Sequence, residues 1–310
     1  MSATVGASMT GARAFTASSS QGLLYMHEVL HYAAGLRTPI VMAVANRCVA
    51  SPVSIFVDHQ DSLTQRDTGF LQFYSENCQD ILDLILLAYK VAEDKRVLLP
   101  VMVCFDGFYL SHVNEPVDVP EAEEVEKFLP KISPNYPYLN IDDPKLFNVM
   151  AFPEHYEEFS HDRFSSMSEA ASVFDEASEE FEKLFGRRHH RIETYRMEDA
   201  EFALIGLGSI MGTTRLAVDK YREKGEKVGM VSIKSFRPFP IEEVFDTLKN
   251  CIAVGVLDRD VAFGTGGVVY EDVCRSLING GSNIHMMNLI LGIGGRDVTP
   301  GVIEKCFDLI

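Results

Sequence analysis

The sequence predicts an α/β protein with two parallel-sheet domains, and three observations support that class. The chain has 310 residues, which is enough for two domains of ordinary size. Apolar strand-like runs alternate with helix-like segments in both halves of the chain. Seven of the thirteen prolines fall between Pro116 and Pro153, so the chain divides there. We therefore predict a first domain at residues 1–115, a linker with a connecting helix at 116–196, and a second domain at 197–310.

The first domain is predicted to follow the order β-α-β-α-β. Its strands are expected at Arg13–Ala17, Pro39–Asn46 and Val97–Asp106. The second of these contains the run Ile-Val-Met-Ala-Val-Ala, which is typical of a strand covered on both faces. Helices are expected at Gln21–Leu36 and at the leucine-rich Asp80–Ala92. Strands joined through helices in this way pair in parallel.

The linker is predicted to be an extended, surface-hugging connection, because it combines prolines with the acidic residues 121, 123, 124 and 126. The helix after it is predicted to begin at a capping box, Ser166–Glu169, and to end at Gly186. Two apolar rows recur along that helix every seven residues: Met167, Phe174 and Phe181, beside Ala170, Ala177 and Leu184. A narrow stripe of this kind packs along another surface, either the chain's own domains or a partner subunit.

The second domain repeats the strand–helix alternation more regularly. Its strands are expected at Glu201–Gly206, Lys227–Ser232, Ile252–Leu257 and Ile284–Leu289. Its helices are expected at Gly212–Lys224, Ile241–Asn250, Gly267–Asn279 and Thr299–Phe307. This alternation again predicts a parallel sheet with crossover helices.

Charge and cysteine usage exclude several classes of protein. The net charge is −17, and so acidic a surface repels phosphate backbones and anionic lipids, which argues against nucleic-acid and membrane binding. No two of the six cysteines lie within four residues of each other, which excludes clustered zinc and iron–sulfur motifs. Residues 1–11 have no basic segment and no long apolar run, so we expect a cytoplasmic protein.

Two glycine-rich turns follow strands of the second domain. The turn Gly206–Gly212 opens a helix, and its N–H groups could bind an anion. Its spacing, GxGxxxG, differs from the dinucleotide-binding fingerprint, so a plain strand-to-helix turn is the alternative. The second turn, Gly264–Gly267, would let the backbone approach a ligand or a neighbouring subunit, or it is a bare loop.

Polar residues concentrate after the first two strands of the first domain. Ser19, Ser20 and Gln21 follow the first strand, where they could contact a ligand or serve as plain helix caps. Arg47 directly ends the second strand, and an arginine there pairs with an internal carboxylate or presents its fork to an incoming one. The segment that follows contains Asp58, His59, Asp61 and Arg66. This concentration predicts an active-site loop, with a solvated face as the alternative. No further cluster supplies ligands, so no metal site is predicted.

Several of these segments closely resemble the α subunit of pyruvate:ferredoxin oxidoreductases (pyruvate synthases). They are residues 11–30, 46–47, 58–69, 99–108, 236–240, 257–259 and 294–299, in register over essentially the whole chain. The resemblance implies a thiamine pyrimidine-binding-like first domain and a transketolase C-terminal-like second domain. It also implies a subunit that works only with β, γ and δ partners in oxidising pyruvate to acetyl-CoA and carbon dioxide, with electrons passing to ferredoxin.

The cofactors and the site residues follow from the same resemblance. Thiamine diphosphate would be shared with the β subunit, Mg²⁺ and 4Fe-4S clusters would sit on partner subunits, and coenzyme A would be a co-substrate. Arg47 matches the family's arginine for the substrate carboxylate. Asp58, His59, Asp61 and Arg66 match the loop beside that site and, with Ser19, Ser20 and Gln21, are expected to line it. A related 2-oxoacid, 2-oxoisovalerate or 2-oxoglutarate, is the alternative substrate.

The resemblance departs from the family at the start of the chain. The family's catalytic glutamate, and a threonine near the substrate, belong to segments that precede the part matched by Ser2–Gly6, and so they would lie upstream of Met1. Neither the Tyr-Pro-Ile-Thr-Pro-like segment, which carries the threonine, nor the Glu-Ser-Glu-His-like segment, which carries the glutamate, occurs in this sequence, so no catalytic residue is assigned in this chain. A truncated chain, a misplaced start codon and an assembly subunit without intrinsic activity are the explanations that we keep open. The resemblance also places Met1 inside a helix.

Overall fold

A computed structural model describes residues 1–134 and 136–310. Its strands are β1 (Phe15–Ser18), β2 (Val41–Asn46), β3 (Leu71–Tyr74), β4 (Val101–Asp106), β5 (Ile192–Tyr195), β6 (Phe202–Gly206), β7 (Val228–Ile233), β8 (Ser235–Arg237), β9 (Ala253–Asp258) and β10 (His285–Ile290). Its helices are α1 (Ser2–Met9), α2 (Ser20–Tyr25), α3 (His27–Gly35), α4 (Gln60–Leu63), α5 (Cys78–Ala92), α6 (Ala122–Phe128), α7 (Pro153–Phe185), α8 (Ile210–Glu223), α9 (Ile241–Leu248), α10 (Val268–Asn279) and α11 (Pro300–Leu309).

The strands form two five-stranded sheets, in the orders β1-β2-β4-β3-β8 and β10-β9-β6-β7-β5. All neighbours pair in parallel except β8 with β3 and β5 with β7, which are antiparallel edge pairs. The α/β class with two parallel-sheet domains is therefore confirmed. The strand β8 comes from the second half of the chain but belongs to the first sheet, so the two domains share a sheet as well as a linker.

Met1 is expected inside a helix, but it occupies the N-cap position, one residue before α1 begins. The helix itself spans Ser2–Met9, and the carbonyl oxygen of Met1 accepts a hydrogen bond from the backbone N–H of Val5 at 2.9 Å. An N-cap residue makes this first helical bond while its own backbone lies outside the helix. The side chain of Met1 is partly buried and packs, like that of Val5, in the central apolar cluster of the molecule.

Apolar side chains cover both faces of each sheet. Val101 and Val103 of β4 pack with α5 and α7, whereas Met102 and Cys104 point to the opposite face. That opposite face belongs to the central cluster, which also contains residues of the second sheet and of α2, α3, α9 and α10. The outer face of the second sheet packs against α8 and α11. One continuous core therefore holds the two domains together.

The predicted linker differs from the observed one in two respects. Residues 122–128 are helical rather than extended, because Glu121 and Glu124 form a reciprocal capping box and place acidic groups in the first turn. The connecting helix begins at Pro153, not at Ser166, since proline at the first helical position is preorganised for the helix. Ser166 instead accepts a hydrogen bond from Arg37 Nη2 at 2.6 Å.

The packing and the end of α7 agree with the sequence. Gly186 ends the helix in the left-handed region, with φ 71°. Phe174 and Phe181 are buried, and the Phe174 ring packs edge-on against Phe73 of β3, with centroids 5.1 Å apart. The apolar stripe thus covers the chain's own first domain. No helix in the described part of the chain is long and apolar enough to cross a membrane.

Candidate active site

The ends of β1 and β2 place the polar residues of the first domain side by side. The two strands pair in parallel, with Ser18 opposite Val44. Ser20 and Gln21 follow β1, and Arg47 follows β2, so they share the carboxyl edge of the sheet. Ligands of open α/β sheets bind at such edges.

Asp61 of α4 joins these two strand ends. Its Oδ2 accepts hydrogen bonds from the backbone N–H groups of Ser20 (2.7 Å) and Arg47 (3.0 Å). Its Oδ1 accepts from Asn46 Nδ2 and from the backbone of Ser62, both at 2.8 Å. The side chain is fully buried. Burial raises the pKa of Asp61 to about 6, and the four N–H donors act in the opposite direction.

The guanidinium of Arg47 has free hydrogen-bonding capacity. Its Nη2 lies 3.4 Å from Gln21 Oε1, and its Nε is buried with no partner among the described residues. The neighbouring Asn46 Oδ1 is also buried and, within the same described ranges, unpartnered. Unsatisfied buried polar atoms are costly, so a donor and an acceptor left open at a strand edge suit a polar ligand.

The remaining predicted lining residues lie around this centre, and their role stays a prediction. Ser19 starts α2 without a side-chain cap bond. Asp58 is 5% exposed, and its Oδ1 accepts from the backbone of Gln60 at 3.2 Å. Arg66 is half-buried and donates to the carbonyl of Leu63 at 3.2 Å. The His59 ring lies against Asp106, with Nε2 2.6 Å from Oδ1.

Asp106, the last residue of β4, is the centre of a second buried cluster. Its Oδ1 lies 2.6 Å from His59 Nε2, and its Oδ2 accepts from Arg259 Nη1 at 2.7 Å. Ser209 donates to the same carboxylate through its backbone N–H at 3.1 Å and through its hydroxyl group. Burial alone would raise the pKa of Asp106, but His59, Arg259 and Ser209 hold it well below its usual range.

The cluster explains the glycine-rich turn Gly206–Gly212. The anion bound by the turn is the carboxylate of Asp106 from the other domain, which accepts from the backbone N–H of Ser209. Gly208 has φ +81°, and a Cβ there would lie 3.0 Å from both Asp106 Oδ1 and His59 Cε1. The turn therefore holds the two domains together and needs glycine for close approach.

Replacing Gly208 with alanine is expected to lower the free energy of unfolding by about 1–3 kcal/mol, because the variant combines backbone strain with a tight contact. The matched control is Gly212→Ala on α8. A Cβ there meets nothing within 4 Å, and alanine should stabilise the helix slightly. Denaturant unfolding of both variants tests this, and equal midpoints would contradict it.

One glycine of the second turn, Gly267, has a structural explanation. A Cβ on Gly267 would overlap the carboxylate of Asp258. Asp258 in turn accepts hydrogen bonds from the backbone of Val269 and Tyr270, at the start of α10, at 2.8 and 3.1 Å. Phe263, directly before the turn, is exposed. This glycine is thus needed for the cap of α10.

Sequence reasoning assigns no role to Asp106, Arg259, Ser209 or Asn46. A usable signal exists for Asp106, since it ends a buried strand at the same sheet edge as Arg47. Arg259 stands out in the same way, as a charged residue directly after the buried strand β9. Their pairing joins residues 153 positions apart and has no local sequence signature.

Two family models match the chain. Residues 1–179 match "Pyruvate flavodoxin/ferredoxin oxidoreductase, thiamine diP-bdg". Residues 200–303 match "Pyruvate:ferredoxin oxidoreductase core domain II". These two matches divide the chain near the end of α7, and the predicted domain boundaries at 115 and 197 stay predictions.

Curated relatives match over nearly the whole chain. Pyruvate synthase subunit PorA of Pyrococcus horikoshii is 49% identical over 304 residues, covering 98% of this chain and 77% of the relative. The PorA subunit of Thermotoga maritima is 42% identical, covering 99% and 79%. Ketoisovalerate oxidoreductase subunit VorA of Pyrococcus horikoshii is 44% identical, covering 96% and 76%.

Solved structures show the same fold. A 2-oxoglutarate:ferredoxin oxidoreductase from Magnetococcus marinus superimposes with a TM-score of 0.69 at 19% identity, covering 98% of this chain and 54% of that one. A split-gene transketolase, in an inactive β4 tetramer, gives a TM-score of 0.57 at 13% identity, covering 100% and 79%. With sequence relatives at this level of identity and coverage, the chain belongs to the pyruvate flavodoxin/ferredoxin oxidoreductase family.

Proposed function

We propose that this chain is the α subunit of a 2-oxoacid:ferredoxin oxidoreductase that converts pyruvate and coenzyme A to acetyl-CoA and carbon dioxide. The observation that carries the proposal is the partly unpaired guanidinium of Arg47, held at the carboxyl edge of the first sheet. The PorA names of relatives at 42–49% identity favour pyruvate as the substrate. The relative named ketoisovalerate oxidoreductase makes 2-oxoisovalerate the substrate to compare.

The first domain suits the pyrimidine end of thiamine diphosphate. Asn46 Oδ1, which is buried and has no partner among the described residues, supplies one acceptor at the strand edge. When bound, the cofactor supplies the electron sink that a 2-oxoacid needs to lose carbon dioxide. In this proposal, partner subunits hold the diphosphate, Mg²⁺ and the 4Fe-4S clusters, and ferredoxin accepts the electrons.

The residues of this chain bind and orient the substrate. Arg47 presents a planar fork, which can hold a carboxylate through two charge-assisted hydrogen bonds. Asp61 accepts a hydrogen bond from the backbone N–H of Arg47 and so fixes the point from which the arginine side chain extends. Gln21 Oε1 lies within reach of both Ser20 Oγ, at 2.5 Å, and Arg47 Nη2, at 3.4 Å. The site therefore recognises the carboxylate end of a 2-oxoacid.

The proposed function is tested by anaerobic assembly of this chain with its β, γ and δ partners. We expect coenzyme A-dependent reduction of ferredoxin with pyruvate, and a kcat/KM about tenfold or more below that value with 2-oxoisovalerate. No reduction with any 2-oxoacid would contradict the proposed function. A preference for 2-oxoisovalerate or 2-oxoglutarate would contradict the substrate alone.

Replacing Asp61 with asparagine is expected to lower kcat/KM for pyruvate about tenfold, the size of one lost charge-assisted hydrogen bond. In the unchanged protein, kcat/KM should fall as the pH drops through about 6, because protonated Asp61 can no longer accept from all four donors. The contribution of Asp61 to the free energy of unfolding has the opposite pH dependence. Since the folded pKa lies above the ordinary value of 3.8, Asp61 favours folding most below pH 3.8 and less as the pH rises through about 6.

The pH profile of kcat/KM for the two proteins checks this prediction. Asp61→Asn should lack the inflection near pH 6. Asp67→Asn, an exposed position in the same segment, should keep both the rate and the inflection. An unchanged profile in Asp61→Asn would show that Asp61 does not control the position of Arg47.

A further inference from the structure

The short helix α4 connects the substrate arginine to the second domain. It has four residues, too few to be stable without contacts at its ends. On one side, Asp61 holds the backbone N–H groups of Ser20 and Arg47. On the other side, His59 precedes the helix, and its carbonyl oxygen accepts from Leu63 at 2.9 Å. The position of Arg47 thus depends on how His59 is held.

His59 is held by groups that the second domain controls. Its backbone N–H donates to the carbonyl oxygen of Arg259 at 2.9 Å. Its ring lies 2.6 Å from Asp106, whose other oxygen binds Arg259 and Ser209. His59, Asp106 and Arg259 are each at most 2% exposed, so water cannot substitute for a lost partner.

The C-terminal part of α4 is fixed equally firmly from inside the first domain. Ser62 Oγ accepts from Asn46 Nδ2 at 2.6 Å and lies 2.7 Å from the hydroxyl group of Tyr74. The Tyr74 ring packs edge-on against His59, with centroids 5.6 Å apart. Because α4 is anchored at both ends, a change at the His59 end is expected to displace Asp61 and, through it, Arg47.

We propose that Asp106 and Arg259 are positioning residues for the substrate, through which the second domain sets the geometry of Arg47. The inference rests on the proposed role of Arg47 in binding the 2-oxoacid carboxylate. Within the described part of the chain, no hydrogen bond or ion pair joins either side chain to Arg47. Each acts through His59 and α4, so each should govern how well the 2-oxoacid binds and leave the binding of coenzyme A unchanged.

A merely stabilising ion pair would behave differently, and the chain contains one for comparison. Asp83 is also fully buried, and it accepts from Arg187 Nε at 2.8 Å and lies 3.0 Å from His189 Nε2. It has the same partner types as Asp106, but it joins α5 to the segment after α7 and lies outside the chain of contacts through α4. Asp83→Asn is therefore the matched control for Asp106→Asn.

The experiment compares the two variants in the complex assembled with its partner subunits. Both should lower the melting temperature. Only Asp106→Asn should raise KM for pyruvate, by about tenfold, with KM for coenzyme A unchanged. The rise should shrink when Arg47 is already replaced by lysine, because both changes then act on the same contact. Ser209→Ala, which removes one donor to Asp106, should give a smaller rise and covers the case in which Asp106→Asn fails to fold.

The remaining outcomes distinguish a failure of the positioning role from a failure of the proposed function. An unchanged KM for pyruvate in both Asp106→Asn and Ser209→Ala, or an equal rise in Asp83→Asn, would overturn the positioning role. The positioning role would also be overturned if Asp106→Asn raised KM for pyruvate by the same factor in the Arg47→Lys background as in the unchanged protein. If the unchanged complex fails to reduce ferredoxin with every 2-oxoacid tested, the proposed function itself is wrong.

Discussion

Replacing Lys234 with methionine is expected to lower the free energy of unfolding by about 3–5 kcal/mol at neutral pH, the usual cost of breaking a buried ion pair. Lys234 is 1% exposed. Its Nζ contacts Asp80 and lies 3.4 Å from Glu76 Oε1 and 3.9 Å from Glu193 Oε1. Burial alone would lower the pKa of Lys234, but these three carboxylates raise it overall. Methionine fills the space but leaves the carboxylates without their main counter-charge.

The loss should depend on pH. In the variant, the pKa of Glu193 rises further, because the ammonium group of Lys234 that opposes its protonation is gone. The pKa of Glu193 is already raised in the unchanged protein, first by burial and then by Glu76 and Asp80. Groups with raised folded pKa values favour folding at low pH and cease to do so as the pH rises. The difference between variant and unchanged protein should therefore be smaller at pH 5 than at pH 8.

Urea unfolding at the two pH values measures this effect. The control is Lys227→Met, because Lys227 is 53% exposed and pairs with Glu201 at the surface. That change should leave the denaturant midpoint as it was. If Lys234→Met is as mild as the control, or if its effect is the same at both pH values, the buried cluster does not stabilise the fold in the way described.

Lys234 also marks where prediction from the sequence fails. It is the single residue between β7 of the second sheet and β8 of the first. A strand of three residues has no periodicity to detect, and its partner β3 lies about 160 residues away in sequence, so the sequence does not predict β8. It does not predict β3 either, because Gln72 interrupts the apolar run of that strand. The glutamine is buried and donates to the carbonyl oxygen of Ser62 at 2.7 Å.

The sequence does predict the parts that local patterns determine. The strands β2, β6, β7 and β9 are continuous apolar runs, and their predicted ends differ from the observed ones by at most two residues. The predicted helix Gln21–Leu36 is instead two helices, α2 and α3, separated at Met26. Local propensity predicts helix over this stretch but gives no sign of the break at Met26.

The candidate site is predictable in part. Arg47 stands out because a charged residue directly follows a buried strand. What holds Arg47 in place has no such signal, since Asp61, His59, Asp106 and Arg259 come from three separate segments that meet only in the fold. For the glycine turn at 206–212, the sequence predicts either an anion site or a plain turn. It is a turn whose anion is a carboxylate of the same chain.

Replacing Arg47 with alanine is expected to lower kcat/KM for pyruvate by about 2–4 kcal/mol, or roughly 30- to 1,000-fold, in the assembled complex. The loss comes from one charge-assisted, orienting contact to the substrate carboxylate. Lysine should restore the activity only in part, because it supplies a point charge without the planar fork. The control is Arg188→Ala, which removes a surface arginine paired with Glu179 and should leave the rate unchanged.

An uncharged analogue distinguishes carboxylate binding from general damage to the site. Methyl pyruvate has no carboxylate for Arg47 to bind, so it should inhibit the unchanged complex and Arg47→Ala equally. Oxamate carries the carboxylate and should inhibit the unchanged complex much better than the variant. If Arg47→Ala keeps kcat/KM for pyruvate within about twofold, the arginine only shapes the loop. If it weakens both inhibitors alike, the change has disturbed the whole edge of the sheet, because loss of a single ion pair to the substrate cannot affect a neutral ligand.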